Sequence, residues 1–440
     1  MPRFLDLYVE KIKNKKEAIK NLLSYSENAL KLYKEIFRQN WRSLPRPVSL
    51  DAEIFAIDSS DGLIECREGI TIHVCRALAL SNNGIELREL EVYPFYSTSS
   101  IELVTFRSRV REHLEHVLAL KCIEKFSSDR KLKVVILDGS LYGRTAHLPK
   151  DLEIPGHEDF MLDYIEIYHR LFVKAREKNV VVIGLSKDSR SRVYRRIMLF
   201  EEIIRRMQEK EINSSLYDFV REIWNDVWRN PKTALKKLDQ ALGVPEWIKE
   251  IFKEILKPRP DVQIISALAV DAGYTLPALL KTPAPALGSL VNAIKRNQLS
   301  EYIDKNFRKT LSDEYFKVQD KALRILPKIL EYPDIVMFYL VPRKRDIPIR
   351  VDVPKWVVCL KEDKGGMKIL KDVDDELSWI ISMLVDMYAG PRHYNVLMEQ
   401  VDARVKFKLQ DIINVYEPLL SKELDFLIEH TRDMRRVRYP

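Results

Sequence analysis

Two aspartates stand where apolar runs give way to small polar residues: Asp58 in IFAIDSSDG (54–62) and Asp138 in KVVILDGSL (133–141). In α/β sheets, active sites collect at strand ends and in the loops just beyond them, so neighbouring strands would bring the two carboxylates together. Without a counter-charge they would repel, and one would take up a proton. A divalent cation removes that conflict. Hard oxygen ligands suit Mg²⁺ or Mn²⁺, and such an ion acidifies bound water and stabilises the attacking and leaving oxygens of a phosphodiester. An Asp before Ser or Gly is also an ordinary turn former, so the expectation rests on the pair rather than on either residue alone.

A third carboxylate has to come from another element. Glu112 and Glu115 lie three apart in RVREHLEH (109–116), hence on neighbouring positions of one helix face, beside Leu114 and Leu118. Glu115 is the favoured inward ligand and Glu112 the reserve, although a Glu on an amphipathic helix is usually solvated. Past a later apolar run, VVIGLSKDSRS (181–191) supplies Lys187, Ser189 and Arg190, followed by Arg192, cations and hydroxyls suited to phosphate oxygens; a basic helix start that simply faces solvent fits equally well. Of the eight histidines only His113 and His116 share a helical spacing, without the HExxH context of a zinc site, and His393 sits beside a Gly-Pro turn where capping is its simplest role. The four cysteines, Cys66, Cys75, Cys122 and Cys359, form no CxxC pair and read as reduced, mostly buried residues. A Walker lysine loop, a GxSxG elbow and a GxGxxG fingerprint are all absent from the sequence, which removes the main support for P-loop ATPase, hydrolase and dinucleotide-binding readings.

These residues need a scaffold. Residues 3–43 carry apolar positions at helical spacing and predict one or two amphipathic helices, ended by LPRPVSLD. Strands are expected over 53–58 and 70–80, separated by a turn at DSSDG, and a third over 87–95 completes an antiparallel meander. A helix over 101–126, the strand KVVILD, a helix over 159–178 and the strand NVVVIGLSKD follow. Strands apolar on both faces that alternate with helices imply the buried middle of an α/β sheet. Residues 192–330 read as a mostly helical insertion punctuated by prolines. Strand patterns return in DIVMFYLVP and IPIRVDVPKW, and two closing helices are expected over 372–388 and 392–415. The expected organisation is an N-terminal helical segment (1–45), the first part of the core (46–191), the insertion (192–330) and the rest of the core (331–440).

The chain has 440 residues, with 73 Lys and Arg against 65 Asp and Glu, for a net charge of +8. That excess permits nucleic-acid binding without demanding it. A charged fraction of 31% with few glycines is a balance met in proteins from hot environments. The N-terminus offers no uninterrupted signal core, and no apolar run approaches a membrane span. A soluble cytoplasmic protein is expected, and the basic end HTRDMRRVRYP reads as a charged tail.

The motifs together resemble those of the NurA family of archaeal DNA-repair nucleases. FAIDSSDG is similar to its first motif, a strand ending in a metal-binding Asp, and VVILDGSL to its DGS motif. RVREHLEH resembles the helix bearing its acidic ligand, with Glu115 in the matching place. VVIGLSKDSRS and IPIRVDVPKW are similar to two further strand motifs, one ending in a Lys and the other carrying an Arg followed by an acid. The likeness runs through roughly 50–195 and 335–415.

The resemblance implies an RNase H-like mixed sheet and a metal site of Asp58, Glu115, Asp138 and Asp402, with Tyr394 positioning water or phosphate. In the family a Tyr on the closing helix is followed eight residues later by a His; here Tyr394 is in register with Asp402, and Asn395 replaces the Pro that usually follows the Tyr. It further implies Mn²⁺-dependent cleavage of single-stranded DNA, 5′-to-3′ resection of duplex ends, a homodimer and a HerA-type hexameric ATPase as partner. One competing expectation is a weakened NurA-like adaptor that binds DNA ends or HerA. Another is a phosphotransferase or ATPase of the actin and sugar-kinase type, whose Gly-rich phosphate loops a chain with 13 glycines supplies poorly.

Overall fold

The computed structural model describes residues 4–23, 25, 27–48, 50–126, 132–212, 214–308, 312–358, 366–371, 373–426 and 428–429. Cys359 and the basic end from residue 430 lie outside them. Among the described residues one sheet of eleven strands runs through the molecule. Its ordered path is β1 (Trp41–Arg42), β7 (Gly273–Thr275), β9 (Ile335–Val341), β10 (Ile349–Pro354), β6 (Val180–Ser186), β5 (Leu132–Asp138), β2 (Ala52–Glu65), β3 (Ile70–Ser81) and β4 (Glu86–Tyr96); β8 (Ala278–Leu280) and β11 (Lys368–Ile369) pair off it.

β2, β3 and β4 form the antiparallel meander, whereas β5 joins β2 in parallel and β6 joins β5 in parallel. An antiparallel triplet followed by two parallel strands is the RNase H-like mixed sheet that the motifs imply. The middle strands are Val, Ile and Leu runs because both of their faces are covered. Phe55, Ile57, Val135, Leu137 and Val182 belong to a core under α4 (Ser100–Lys125) and α6 (Phe160–Glu177). Ile54, Ala56, Val134, Ile136 and Ile183 belong to a core on the opposite face, under α15 (Asp374–Asp386) and α16 (Val396–Val405). Each strand residue thus feeds one layer or the other according to its parity.

Three expected boundaries differ. DSSDG is not a turn: β2 continues through it to Glu65, and every residue from Phe55 to Glu65 is paired with β3. Ser, Asp and Gly are poor strand formers, but the long ladder overrides them, and Phe407 and Ile412 pack so closely over Gly62 that a Cβ there would lie 2.6 Å from Ile412. Asp58 therefore stands inside a strand rather than at its end. The second closing helix stops at Val405, where Arg76 donates to the carbonyls of Val405 and Lys406 and the Phe407 N–H donates to Ser60 Oγ, pulling 406–408 out of helical register. At the N-terminus there are three helices, α1 (Leu5–Asn14), α2 (Lys16–Leu23) and α3 (Glu27–Gln39). Tyr25 is buried edge-on against Tyr33, which turns the chain into α3.

Residues 193–325 supply α7–α14 (Val193–Glu209 through Ser312–Ile325), with β7 and β8 tying this mostly helical region into the sheet beside β9. Cys66, Cys75 and Cys122 are buried free thiols. Among the described residues no helix is long and apolar enough to cross a membrane.

Candidate metal and phosphate site

β2 and β5 run in parallel with Ile57 opposite Leu137, so Asp58 and Asp138 arrive at one level of the sheet. β5 stops there while β2 runs on. By parity both aspartates follow Ile54, Ala56, Val134 and Ile136 onto the α16 face. The next residue, Ser59, has the opposite parity, and its hydroxyl donates to Glu115 Oε1 at 2.5 Å.

Glu115 comes from α4, whose Phe106, Val110, Leu114 and Leu118 are buried against the sheet and whose start is capped by Ser99. Its other oxygen accepts from Arg144. Arg144 lies on α5 (Leu141–Thr145), which begins directly after the Asp-Gly-Ser turn with Ser140 as its cap. The same guanidinium donates to the Asp138 carbonyl at 2.6 Å and to His116 Nε2 at 2.8 Å. Two glycines permit this turn. Gly139 has φ +94°, and Gly184 of β6 lies so close beneath it that a Cβ would sit 2.6 Å from the Gly139 carbonyl oxygen.

The acids are crowded. Burial, together with repulsion from Glu115 and Asp138, pushes the Asp58 carboxyl from 3.8 up to about 7, against the Ser59 N–H that donates to it at 2.7 Å. That corresponds to roughly 4 kcal/mol of opposition to ionisation. Burial also raises Glu115, opposed by Arg144 and Ser59, and raises Asp138, opposed by Lys187, Arg144 and Arg111 and reinforced by Asp402. Glu112 borders a cavity with Glu115 and Asp138 but is taken up by other partners: burial would raise it, but His147 and the neighbouring arginines outweigh that and hold it down at about 2, with Tyr164 Oη also donating to it at 2.7 Å.

Tyr394 and Asp402 approach from the α16 side. Burial first, then Asp138, Asp58 and Asp402, keep the Tyr394 phenol protonated far above its ordinary range. Lys187 Nζ lies 5.3 Å from the centroid of the Tyr394 ring, and both border a cavity of about 200 Å³ with Asp402 and Arg392. A second cavity of about 470 Å³ is bordered by Asp138, Ser140, Lys187, Ser189 and Arg190. His393 pairs instead with Glu399, and Asn395 caps α16 through the Met398 N–H.

Asp58, Glu115 and Asp138 are thus brought together, Tyr394 and Asp402 lie within electrostatic reach of them, and Lys187 and Arg190 line the adjoining cavity. Among the described residues no three metal-ligating side chains meet as a closed ligand set, since Glu115 is turned to Arg144 and Ser59. The donor chemistry nevertheless fits a hard divalent cation: buried carboxylate oxygens, one of them pushed towards its neutral form first by burial and then by repulsion from its neighbours. Sequence reasoning missed Ser59, Arg144 and Arg111. The parity of Ser59 and the one-turn spacing of Arg111 and Glu115 were readable signals; the reach of Arg144 across the layers was not.

The NurA domain family model matches residues 52–407. No curated protein matches the chain. Among solved structures, the NurA nuclease from Sulfolobus solfataricus is similar over 97% of this chain and 98% of its own, at 13% identity and a TM-score of 0.55. A structure of NurA bound to dAMP and manganese aligns over 94% of this chain and 96% of its own, at 14% identity and a TM-score of 0.39. Ciona intestinalis Endonuclease V in complex with DNA aligns over 36% of this chain and 56% of its own, at 14% identity and a TM-score of 0.17. Only the first of these likenesses is close enough to bear on the fold.

Proposed function

The chain belongs to the NurA family, and from that premise we propose that it is a divalent-metal-dependent deoxyribonuclease. In this reading it cuts single-stranded DNA and resects duplex ends from 5′ to 3′, using Mn²⁺ or Mg²⁺. The observation that carries it is the level meeting of Asp58 and Asp138 with Glu115 beside them, three carboxylates whose charges oppose one another.

Asp58, Glu115, Asp138 and Asp402 would hold the ion, which supplies an acidified water and offsets charge on the reacting phosphate. Arg144 holds the Glu115 carboxylate and the Asp138 backbone carbonyl, so both residues stand at fixed places beside Asp58 before anything binds, and Glu115 would exchange Arg144 for the ion. The Tyr394 phenol, protonated throughout the neutral range, serves as a donor to water or to a phosphate oxygen. Lys187 and Arg190 contact phosphates of the strand along the adjoining cavity. Asp402 takes the place of the family His and keeps the site all-oxygen. Residues 192–330 act as an insertion between two parts of one core. The homodimer and the HerA-type translocase follow from the family likeness and rest on it alone.

The test is to incubate the purified protein with labelled single- and double-stranded DNA and Mn²⁺, beside Asp58→Ala and Asp402→Ala. Metal-dependent cleavage that disappears in Asp58→Ala supports the nuclease. Binding without cleavage in any metal overturns it and favours the adaptor, a reading to which the lock of Glu115 on Arg144 lends its one specific observation. ATP turnover without DNA would point to the phosphotransferase.

A further inference from the structure

The first turns of α4 present three arginines at successive odd positions, and two of them are committed. Arg107 donates to Asp61 at 2.5 Å, and Arg109 lies 3.4 Å from Glu112. Arg144, facing them from α5, is taken up by Glu115, His116 and the Asp138 carbonyl. Arg111 differs. Its Nε is buried with no hydrogen-bond partner, and among the described residues its guanidinium makes neither a hydrogen bond nor an ion pair.

Its position is informative. Arg111 is one turn before Glu115 on the same face of α4, and with Ser108, Glu112, Glu115, Asp138 and His147 it lines a cavity of about 290 Å³, in which Glu112 is already engaged by His147, Tyr164 and Arg109. That cavity and the one holding Lys187 and Arg190 share Asp138, Gly139, Ser140 and Gly143 in their linings. Burial works against its charge, but the fields of Glu115, Asp61 and Asp58 outweigh that and keep it a cation. A guanidinium has five donors in a planar fork that matches phosphate oxygens, and a buried donor left unmet is costly. Once the carboxylates are engaged by a cation, their pull on Arg111 weakens while its donors remain unmet.

We propose that Arg111 is a catalytic residue of this site, its guanidinium contacting a non-bridging oxygen of the DNA phosphate that lies over Asp138. The phosphate contact requires only that the chain bind DNA; the catalytic part rests on the nuclease reading. The bland alternative is that Arg111 merely balances the carboxylates.

Fluorescence anisotropy of a labelled single-stranded oligonucleotide in Ca²⁺, read against salt concentration, separates the two for the whole chain, R111A and R111K. The slope of log K against log salt should become shallower by about one in R111A and stay near wild type in R111K. In saturating Mn²⁺, kcat should fall on the order of a hundredfold in both variants, with partial recovery of R111A by free guanidinium ion. Circular dichroism checks folding, and R111K carries the kcat test if R111A does not fold. An unchanged slope in a folded R111A overturns the contact whatever the cleavage rate does. A shallower slope with wild-type kcat in saturating metal overturns the catalytic assignment. A wild-type chain that binds DNA but cuts in no metal removes the nuclease reading and the catalytic part with it, and the slope still decides the contact; one that binds no DNA overturns both.

Discussion

Two buried charge clusters in this molecule are built on opposite terms. Arg195 is fully buried, and all three nitrogens of its guanidinium are matched: they donate to the carbonyls of Glu254, Ile255, Lys257 and Arg259 and to Tyr33 Oη. Asp261 beside it accepts from the N–H groups of Tyr194 and Arg195 and from Tyr339 Oη. Around Asp58 the groups are mismatched: Asp58, Glu115 and Asp138 repel, and Arg111 reaches none of them with a hydrogen bond. The first cluster is a joint, fastening α3 and the end of α10 (Glu246–Leu256) to α7. The second keeps a residual demand for cation and anion, which is what the proposed metal and phosphate site would require.

The contrast can be broken from either side. The largest effect is expected at Asp58→Ala, where Mn²⁺-dependent cleavage should fall on the order of a thousandfold or more. Its urea midpoint without metal should not fall, because a repelling charge has been removed. Retained cleavage in a folded variant would remove Asp58 from the site.

Next comes Arg195→Met, which strands the carbonyls of Glu254, Ile255, Lys257 and Arg259 and removes the ion pair to the Glu254 carboxylate. A loss of about 3–5 kcal/mol in urea unfolding is expected, with cleavage per folded molecule unchanged. If stability holds, the joint is not a joint.

Gly184→Ala acts between the two. A Cβ placed 2.6 Å from the Gly139 oxygen must displace the Asp-Gly-Ser turn. Cleavage should drop about a hundredfold with a stability loss of about 1–3 kcal/mol, so activity assays and melts together decide whether the turn or the whole fold has given way.

The smallest effect is in pH. The folded Asp58 holds its proton up to about 7 against an ordinary 3.8, so its contribution to stability is complete below 3.8 and is lost as pH rises through 7. Metal-free Asp58→Asn should therefore gain on wild type by on the order of 2 kcal/mol between pH 5 and pH 8. Glu112, held down at about 2, and His113, which burial holds down at about 4, act in reverse. Their stability is present above 4.5 and 6.5 respectively and is lost as pH falls, alike in wild type and Asp58→Asn; the two should converge in acid because Asp58 is then protonated in both the folded and the unfolded chain.

Much of the scaffold was legible because burial on both faces writes itself as unbroken apolar runs: KVVILD became β5, NVVVIGL became β6 and IRVDVP became β10. The face of α4 was readable from Val110, Leu114 and Leu118, and Glu115 is buried with them. What failed was whatever depends on partners distant in sequence. Ser59 to Gly62 look like a turn until β3 is laid beside them. The closing helix looks continuous until Arg76, more than three hundred residues earlier, claims the carbonyls of Val405 and Lys406. Arg144 gave no warning because its partners, Glu115 and His116, sit on another layer.

The length of β2 has a kinetic consequence. Since Asp58 lies within a strand, opposite Leu78 of β3 and one residue beyond the last pairing with β5, its backbone position does not wait for a ligand. Filling and emptying the proposed site would then change charge more than the course of β2, and a cation would meet a strand already in place rather than one it has to order.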